Sequence, residues 1–281
     1  MFDEALVALD LSPAERPILD CLPALRQWGV RHLLLTHVIQ YGYGHGAALA
    51  RQQDYVDWLE QCAGPLRNAG LTVDVQVRAS GAPTGGVLAL AGETGADLIV
   101  AGSRGRNVLS KLFLGSVARE LIRNATVPVL LEWIEPSADA TQARCEAVCK
   151  DTLRNVLLAT DFSRPAAAAE NAALALAPKA RQVDCLHVMA SDEKAAKPPL
   201  PLMAQAALAA LVQRIEATGG RGTTTLLEGN AATEIARHAA SQDASLIVVG
   251  KHGQNWVASR LIGSTAARLC EIAGRPVLMV P

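Results

Sequence analysis

The chain has 281 residues, with 26 Lys and Arg against 27 Asp and Glu, and this balance excludes the basic field of a nucleic-acid or anionic-membrane binder. Half of it is hydrophobic (50%), yet no apolar run approaches the roughly 18 residues that span a bilayer, and Met1-Phe2-Asp3-Glu4 lacks the basic start of a signal peptide. A cytoplasmic protein is expected, and the length is ordinary for two α/β domains.

Taken in chain order, an apolar run at 4–9 predicts a buried strand ending at Asp10. Ser12-Pro13-Ala14-Glu15 has the form of a capping box, but Pro17 and Pro23 follow, so the first helix should be kinked, shifted or short. Strands at 32–38 and 71–77 flank a helix with Val56, Leu59, Cys62 or Ala63 and Leu66 on one face. Leu71, Val73, Val75 and Val77 alternate with polar residues, as a sheet-edge strand does. The strand at 97–101 is apolar throughout and reads as central; another follows at 127–132. Residues 135–151 are polar, lack strand character and are expected to link domains at 1–134 and 152–281. Strands at 154–160, 183–189, 223–228, 245–249 and 276–280 then repeat the order. Between them lie an alanine-rich helix capped by Ser163 and ending before Pro178, and a helix carrying Leu208, Leu211, Val212 and Ile215. Strand-helix alternation implies right-handed crossovers and a parallel sheet covered on both faces, so the fold class is α/β, two tandem doubly wound sheets.

The halves match landmark by landmark at a spacing of about 150 residues. Asp10 corresponds to Asp161, His37-Val38 to His187-Val188, and Pro128-Val129-Leu130 to Pro276-Val277-Leu278. Gly102-Ser103-Arg104-Gly105, nine residues and Gly115-Ser116 correspond to Gly250-Lys251-His252-Gly253, nine residues and Gly263-Ser264. Each glycine pattern follows a buried strand, at the sheet end where open α/β folds bind ligands. Glycine lets backbone approach an anion closely, and a Gly-Ser step opening a helix offers unpaired N–H groups to it. Arg104 and His252 occupy equivalent slots and can add positive charge to a phosphate pocket; a solvated surface side chain is an equal alternative for each. Asp10 and Asp161 can accept from sugar hydroxyls or approach a phosphate-bound Mg²⁺, or else make a local turn. Backbone groups at Val38 and Val188 can meet an adenine edge. The loops at 40–46, with Tyr41, Tyr43 and His45, and at 190–201 border the same cleft.

The six cysteines form no secreted-domain framework and read as reduced thiols. Cys145 with Cys149, and Cys185 with His187, have no second ligand pair nearby, so no metal site is assigned. No catalytic residue is assigned either, because the Gly-x4-Gly-Lys-Ser/Thr, Gly-x-Gly-x-x-Gly and Gly-x-Ser-x-Gly patterns are missing.

These features resemble the universal stress protein family in its tandem form, over nearly all of both halves. The resemblance rests on the first-strand aspartates, the His-Val dipeptides, both Gly-x2-Gly-x9-Gly-Ser patterns and the terminal Pro-Val-Leu strands. It implies five-stranded Rossmann-like sheets of order 3-2-1-4-5 and ATP binding. By similarity, Ala8, Leu9, Asp10 and Val38 would flank adenosine in the first half, and Ala101, Gly102, Arg104, Gly105, Gly115, Ser116 and Val117 the phosphates. The second-half set is Ala159, Thr160, Asp161, Val188, Val249, Gly250, His252, Gly253, Gly263, Ser264 and Thr265. The implied role is a nucleotide-dependent regulator or sensor in stress response. A slow ATPase or adenylyl- or phosphoryl-transfer enzyme and a nucleotide-free interaction scaffold are the alternatives. In the family the last strand commonly mediates dimerisation. Here Val129-Leu130-Leu131 and Val277-Leu278-Met279-Val280 would be sticky sheet edges if left unpaired, so an intramolecular pseudo-dimer is expected; pairing of two chains is left open. Of the two sites the second should be the better formed, since it has the uninterrupted helix and a Thr160 hydroxyl where the first has Leu9.

Overall fold

The computed structural model describes residues 2–12, 15–40, 51–104, 114–136, 143–145, 151–190, 200–254 and 262–281. They fall into two units, Met1–Lys150 and Asp151–Pro281.

The first unit is built on β1 (Glu4–Ala8), β2 (His32–Gln40), β3 (Thr72–Ser80), β4 (Leu98–Gly102) and β5 (Val129–Glu132), paired in parallel in the order β5-β4-β1-β2-β3. Apolar β4 lies inside the sheet, with Leu98, Ile99 and Val100 at 0% exposure, and alternating β3 is the edge. Short α1 (Glu15–Cys21) gives way to a 3-10 helix over Leu22–Trp28 with proline in its first turn, and Gly29 at φ 111° stops it. The break expected from Pro17 and Pro23 is therefore present: a proline nitrogen has no hydrogen to give an α-helical ladder. Next come α2 (Gln52–Asn68), α3 (Pro83–Thr94) and α4 (Ser116–Asn124).

The stretch at 135–151, expected to be a linker without strands, contains part of an antiparallel hairpin formed by β6 (Ile134–Pro136) and β7 (Ala143–Cys145). Its anchor is Ile134, at 0% exposure, whose N–H donates to Ser103 Oγ at 3.0 Å. Neighbouring β7 runs beside α1. Cys21, at the end of α1, is disulfide-bonded to a partner outside the described side chains, which corrects the reading of all six cysteines as reduced. Cys62, Cys185 and Cys270 are free, and burial pushes the last two thiols up to about 12.

The second unit repeats the plan with β8 (Asn155–Ala159), α5 (Ala167–Leu176), β9 (Gln182–Met189), α6 (Leu200–Ala217), β10 (Gly222–Glu228), α7 (Ala231–Ser241), β11 (Leu246–Gly250), α8 (Ser264–Ile272) and β12 (Val277–Val280). Its sheet runs β10-β9-β8-β11-β12, again all parallel. Alanines make α5 tight against the sheet: Ala169, Ala172 and Ala173 are at 0% exposure, as is Leu176. Both units thus have order 3-2-1-4-5, and the crevice where the winding reverses lies between the carboxyl ends of the first and fourth strands. No described helix is long and apolar enough to cross a membrane.

Candidate functional site

Each first strand leaves its sheet through the same turn. Leu11 (φ 56°) and Phe162 (φ 57°) are left-handed, an unusual state for residues of this size. The preceding aspartates hold it: Asp10 Oδ1 accepts from Ser12 N at 3.2 Å, and Asp161 Oδ1 from Ser163 N at 3.0 Å. The histidine landmarks brace it from the second strand. His37 Nδ1 donates to the Leu9 carbonyl and His187 Nδ1 to the Thr160 carbonyl, each at 2.8 Å; a carbonyl can only accept, so Nδ1 carries the proton. Across the crevice, Gly115 N–H donates to Ser103 O and Gly263 N–H to Lys251 O, both at 2.9 Å, which docks each helix start on the glycine turn before it.

In the second unit these pieces enclose a cavity of about 200 Å³. Every second-half candidate lines it: Ala159, Thr160 and Asp161 from the β8 end, Val188 from β9, Val249, Gly250, His252 and Gly253 from the glycine turn, and Gly263, Ser264 and Thr265 from the start of α8. The two sides have opposite hydrogen-bonding character. On the α8 side, helix geometry leaves the N–H groups of Ser264, Thr265 and Ala266 without an intrahelical acceptor, and the macrodipole points its positive end there. Lys251 and His252 stand beside them. Burial holds the Lys251 ammonium below its ordinary range, and burial followed by the nearby Lys251 charge lowers His252. On the β8 side the polar side chains accept. Asp161 Oδ2 takes the Gln254 N–H at 2.7 Å, and Gln254 Nε2 donates to the Asp161 carbonyl at 3.0 Å. A Cβ on Gly253 would collide with that carboxylate, so glycine is required for this approach. The Thr160 hydroxyl donates to Glu170 Oε1 at 2.8 Å and accepts from Phe162 N at 3.0 Å.

The first unit brings Ala8, Leu9, Asp10, Val38, Ala101, Gly102, Arg104, Gly115, Ser116 and Val117 to the corresponding strand ends and helix start; Gly105 lies outside the described residues. Its details differ. Arg104 is buried, donates to the Ile134 carbonyl at 2.9 Å and lies 5.2 Å from the Trp133 ring centroid, so its guanidinium is committed to the chain that follows β5. Ile18 Cδ1 comes within 3.0 Å of where a Gly102 Cβ would stand, whereas the matching approach to Gly250 is made by Ala166 backbone at 3.4 Å. His37 packs against Tyr55 and Trp58, with ring centroids at 4.9 and 6.4 Å; His187 meets Phe162 at 5.1 Å.

Cavity residues beyond the candidate list include Lys251, Gln254, Leu186, Ala231 and Ile235. Lys251 was legible, since it sits inside the glycine pattern; Ala231 and Ile235 needed the knowledge that the first turns of α7 reach the same crevice. The loop residues Tyr41, Tyr43 and His45 and the nine-residue spacers lie largely outside the described residues. Among the described residues no group of three or more His, Cys, Asp or Glu is placed to hold a metal ion.

A tandem doubly wound α/β protein with a glycine turn at the switch point of each sheet is the class that fold and site define. The universal stress protein family model matches residues 1–131 and again 152–281, so the chain belongs to the universal stress protein family in two-repeat form. A universal stress protein from Archaeoglobus fulgidus DSM 4304 shares the fold at TM-score 0.75 and 21% identity, over 99% of this chain and 96% of that one. A putative universal stress protein from Pseudomonas aeruginosa UCBPP-PA14 does so at TM-score 0.66 and 20% identity, over 99% and 93%. No curated protein matches significantly.

Proposed function

We infer that the second cleft binds an adenine nucleotide, with ATP the expected ligand, and that the chain is a cytoplasmic, nucleotide-dependent regulator in stress response. The observation that carries this reading is the convergence of the whole second-half candidate set on one cavity with a donor wall and an acceptor wall. An anion fits the first: backbone N–H groups at the α8 start, the Lys251 ammonium with the His252 imidazole beside it, and glycines whose added Cβ would meet backbone at 3.1 Å (Gly250) and 3.3 Å (Gly263). A sugar's hydroxyl donors fit the second. Apolar Ala159, Leu186, Val188 and Ile235 suit a base between them. Asp161 is the carboxylate that would face a phosphate-bound Mg²⁺. The same reading includes an intramolecular pseudo-dimer of the two repeats, since β5 and β12 are each the edge of their own unit's sheet.

The test is the nucleotide released on denaturing purified protein, with its stoichiometry, followed by titration of Gly263→Val and Gly115→Val. A Gly263 Cβ lies 3.3 Å from the Lys251 carbonyl and 3.8 Å from His252 Cα, so valine levers the helix start off the glycine turn. Binding should be lost in Gly263→Val and kept in Gly115→Val. The reverse pattern assigns the nucleotide to the first unit, Mg²⁺-dependent turnover of ATP favours the enzyme alternative, and no binding in the parent chain favours the scaffold.

A further inference from the structure

Behind the acceptor wall of the second cleft lies a charged residue that the binding site itself does not require. Glu170 stands on α5, nine residues beyond Asp161, and is 9% exposed. One carboxylate oxygen, Oε1, accepts the Thr160 hydroxyl at 2.8 Å, and the other, Oε2, pairs with Arg214 Nη1 of α6 at 3.2 Å. Arg214 Nη2 reaches Asn171 Oδ1 at 3.3 Å, which fixes the guanidinium against α5. The chain of contacts therefore runs from a half-exposed arginine through a buried carboxylate to a residue of the cavity wall.

The hydrogen count decides what this does. A carboxylate paired with arginine can only accept, so Thr160 must give it the hydroxyl proton. The Phe162 N–H, donating at 3.0 Å, takes one of the two lone pairs on Thr160 Oγ1. What Thr160 has left is a single lone pair. Asp161, next in the chain, is likewise an acceptor. We propose that Glu170 is a positioning residue that sets the hydrogen-bond polarity of this wall, making Thr160 an acceptor toward the ligand and so requiring a sugar hydroxyl that donates, against one capped as an ether. The inference rests on nucleotide binding in the second cleft, as argued above.

Glu170→Gln inverts the count while keeping shape. Arg214 donates and therefore retains the amide oxygen, which turns the amide NH₂ toward Thr160. With two donors on its oxygen, Thr160 must send its own proton elsewhere, and it becomes a donor to the cleft. Glu170→Gln combined with Arg214→Met frees the amide to rotate, present its oxygen and restore Thr160 as acceptor.

The experiment is calorimetric titration of the full chain with ATP, 2′-O-methyl-ATP and 3′-O-methyl-ATP, whose ether oxygens accept but cannot donate, with melting temperature as the check on folding. The parent chain should prefer ATP to at least one O-methyl analogue by about tenfold, the effect of one hydrogen bond. That ratio should fall to within about twofold in Glu170→Gln and in Thr160→Val, and recover in the double variant. A loss of packing alone would weaken all three nucleotides together and leave the ratio in place. If Glu170→Gln does not fold, Thr160→Val carries the same comparison. The proposal is overturned if the parent shows no preference, or if Thr160→Val or a folded Glu170→Gln keeps it. Absence of ATP binding, or binding unaffected by Gly263→Val, overturns the nucleotide reading of this cleft and the proposal with it. Binding without the predicted ratio change overturns the proposal alone.

Discussion

The two glycine turns of this chain have one backbone design and two different surroundings. In both units the helix after the turn is docked by a 2.9 Å bond to the turn itself, and the aspartate turn opposite is braced by a histidine at 2.8 Å. The side chains then diverge. In the second unit Ala166 backs Gly250, and Lys251 and His252 line a cavity. In the first, Ile18 approaches Gly102, Ser103 Oγ holds the N–H of Ile134, and Arg104 is bonded to the carbonyl of the same residue. The turn of the first unit is tied into a core; the turn of the second faces a cleft. A preserved spacing thus records a common backbone and leaves the use of each copy to its neighbours.

The largest expected effect breaks the second cleft alone. Gly253→Ala places a methyl group on an Asp161 carboxylate whose two oxygens are already held by Ser163 and Gln254. ATP affinity should fall about 100-fold, measured by titration, and equal affinity in the variant would show that the Asp161 wall is not used.

Next in size is a change confined to the first unit. Glu132 is 2% exposed, its Oε2 has no hydrogen-bond partner among the described residues, and burial pushes its carboxyl from the ordinary 4.5 to about 8. The matched position in the second unit is Val280: Lys251 N–H donates to its carbonyl as Ser103 N–H does to that of Glu132. A folded-state value raised above the unfolded one means that the fold binds the proton more tightly, so stability falls as pH rises from 4.5 to about 8 and then stays low. Glu132→Val should raise the melting temperature of the first unit by about 5 °C at about pH 9, with the gain shrinking toward about pH 4.5. A gain of the same size at both pH values would assign the effect to packing.

A smaller effect separates the cationic residues. His252 is lowered by burial and by the Lys251 charge, so it is neutral at neutral pH and a bound polyphosphate favours its protonation. ATP affinity of the parent should therefore rise, relative to that of His252→Gln, by about three- to tenfold between about pH 8 and pH 5.5. Arg104→Gln should leave ATP affinity unchanged at every pH. Parallel pH profiles for parent and His252→Gln would remove His252 from the ligand's surroundings.

The strands and the candidate residues that line the second cavity were legible because each is encoded by a pattern with a short physical reach, while the strand order came from the family resemblance. Apolar runs of four or five residues make buried strands, and paired glycines directly after such a run mark the turn at the strand's end. What escaped reading depends on side chains meeting across many residues. Ser103 Oγ and Ile134 are 31 apart, and their bond turns a polar linker into a hairpin. Thr160 was legible as a wall residue, but its hydroxyl is spoken for by Glu170, which the alanine-rich pattern of α5 presents as one more helical residue. The disulfide at Cys21 was missed for a similar reason, since the spacing of the cysteines carries no local signature of the pairing.

The finest contrast between the units lies at the helices that follow their third strands. Asn230 caps α7, its Oδ1 accepting from Thr233 N and Thr233 Oγ1, each at 3.1 Å. Ala82, at the cap of α3, has extended backbone (φ −133°, ψ 130°) and no side-chain oxygen to offer. Since Ala231 and Ile235 of α7 line the second cavity, the cap holds part of that cavity's wall in place. Asn230→Ala should cost about 1 kcal/mol in unfolding free energy and weaken ATP binding by about twofold, because fraying the first turn loosens the wall without removing it. Ala82→Asn should return about 0.5–1 kcal/mol to the first unit, as the extended conformation there already suits a capping residue. If Asn230→Ala lowers stability with no change in affinity, the first turn of α7 is scaffold rather than wall, and the ligand contacts of the second cleft are confined to the ends of β8, β9 and β11 and the start of α8.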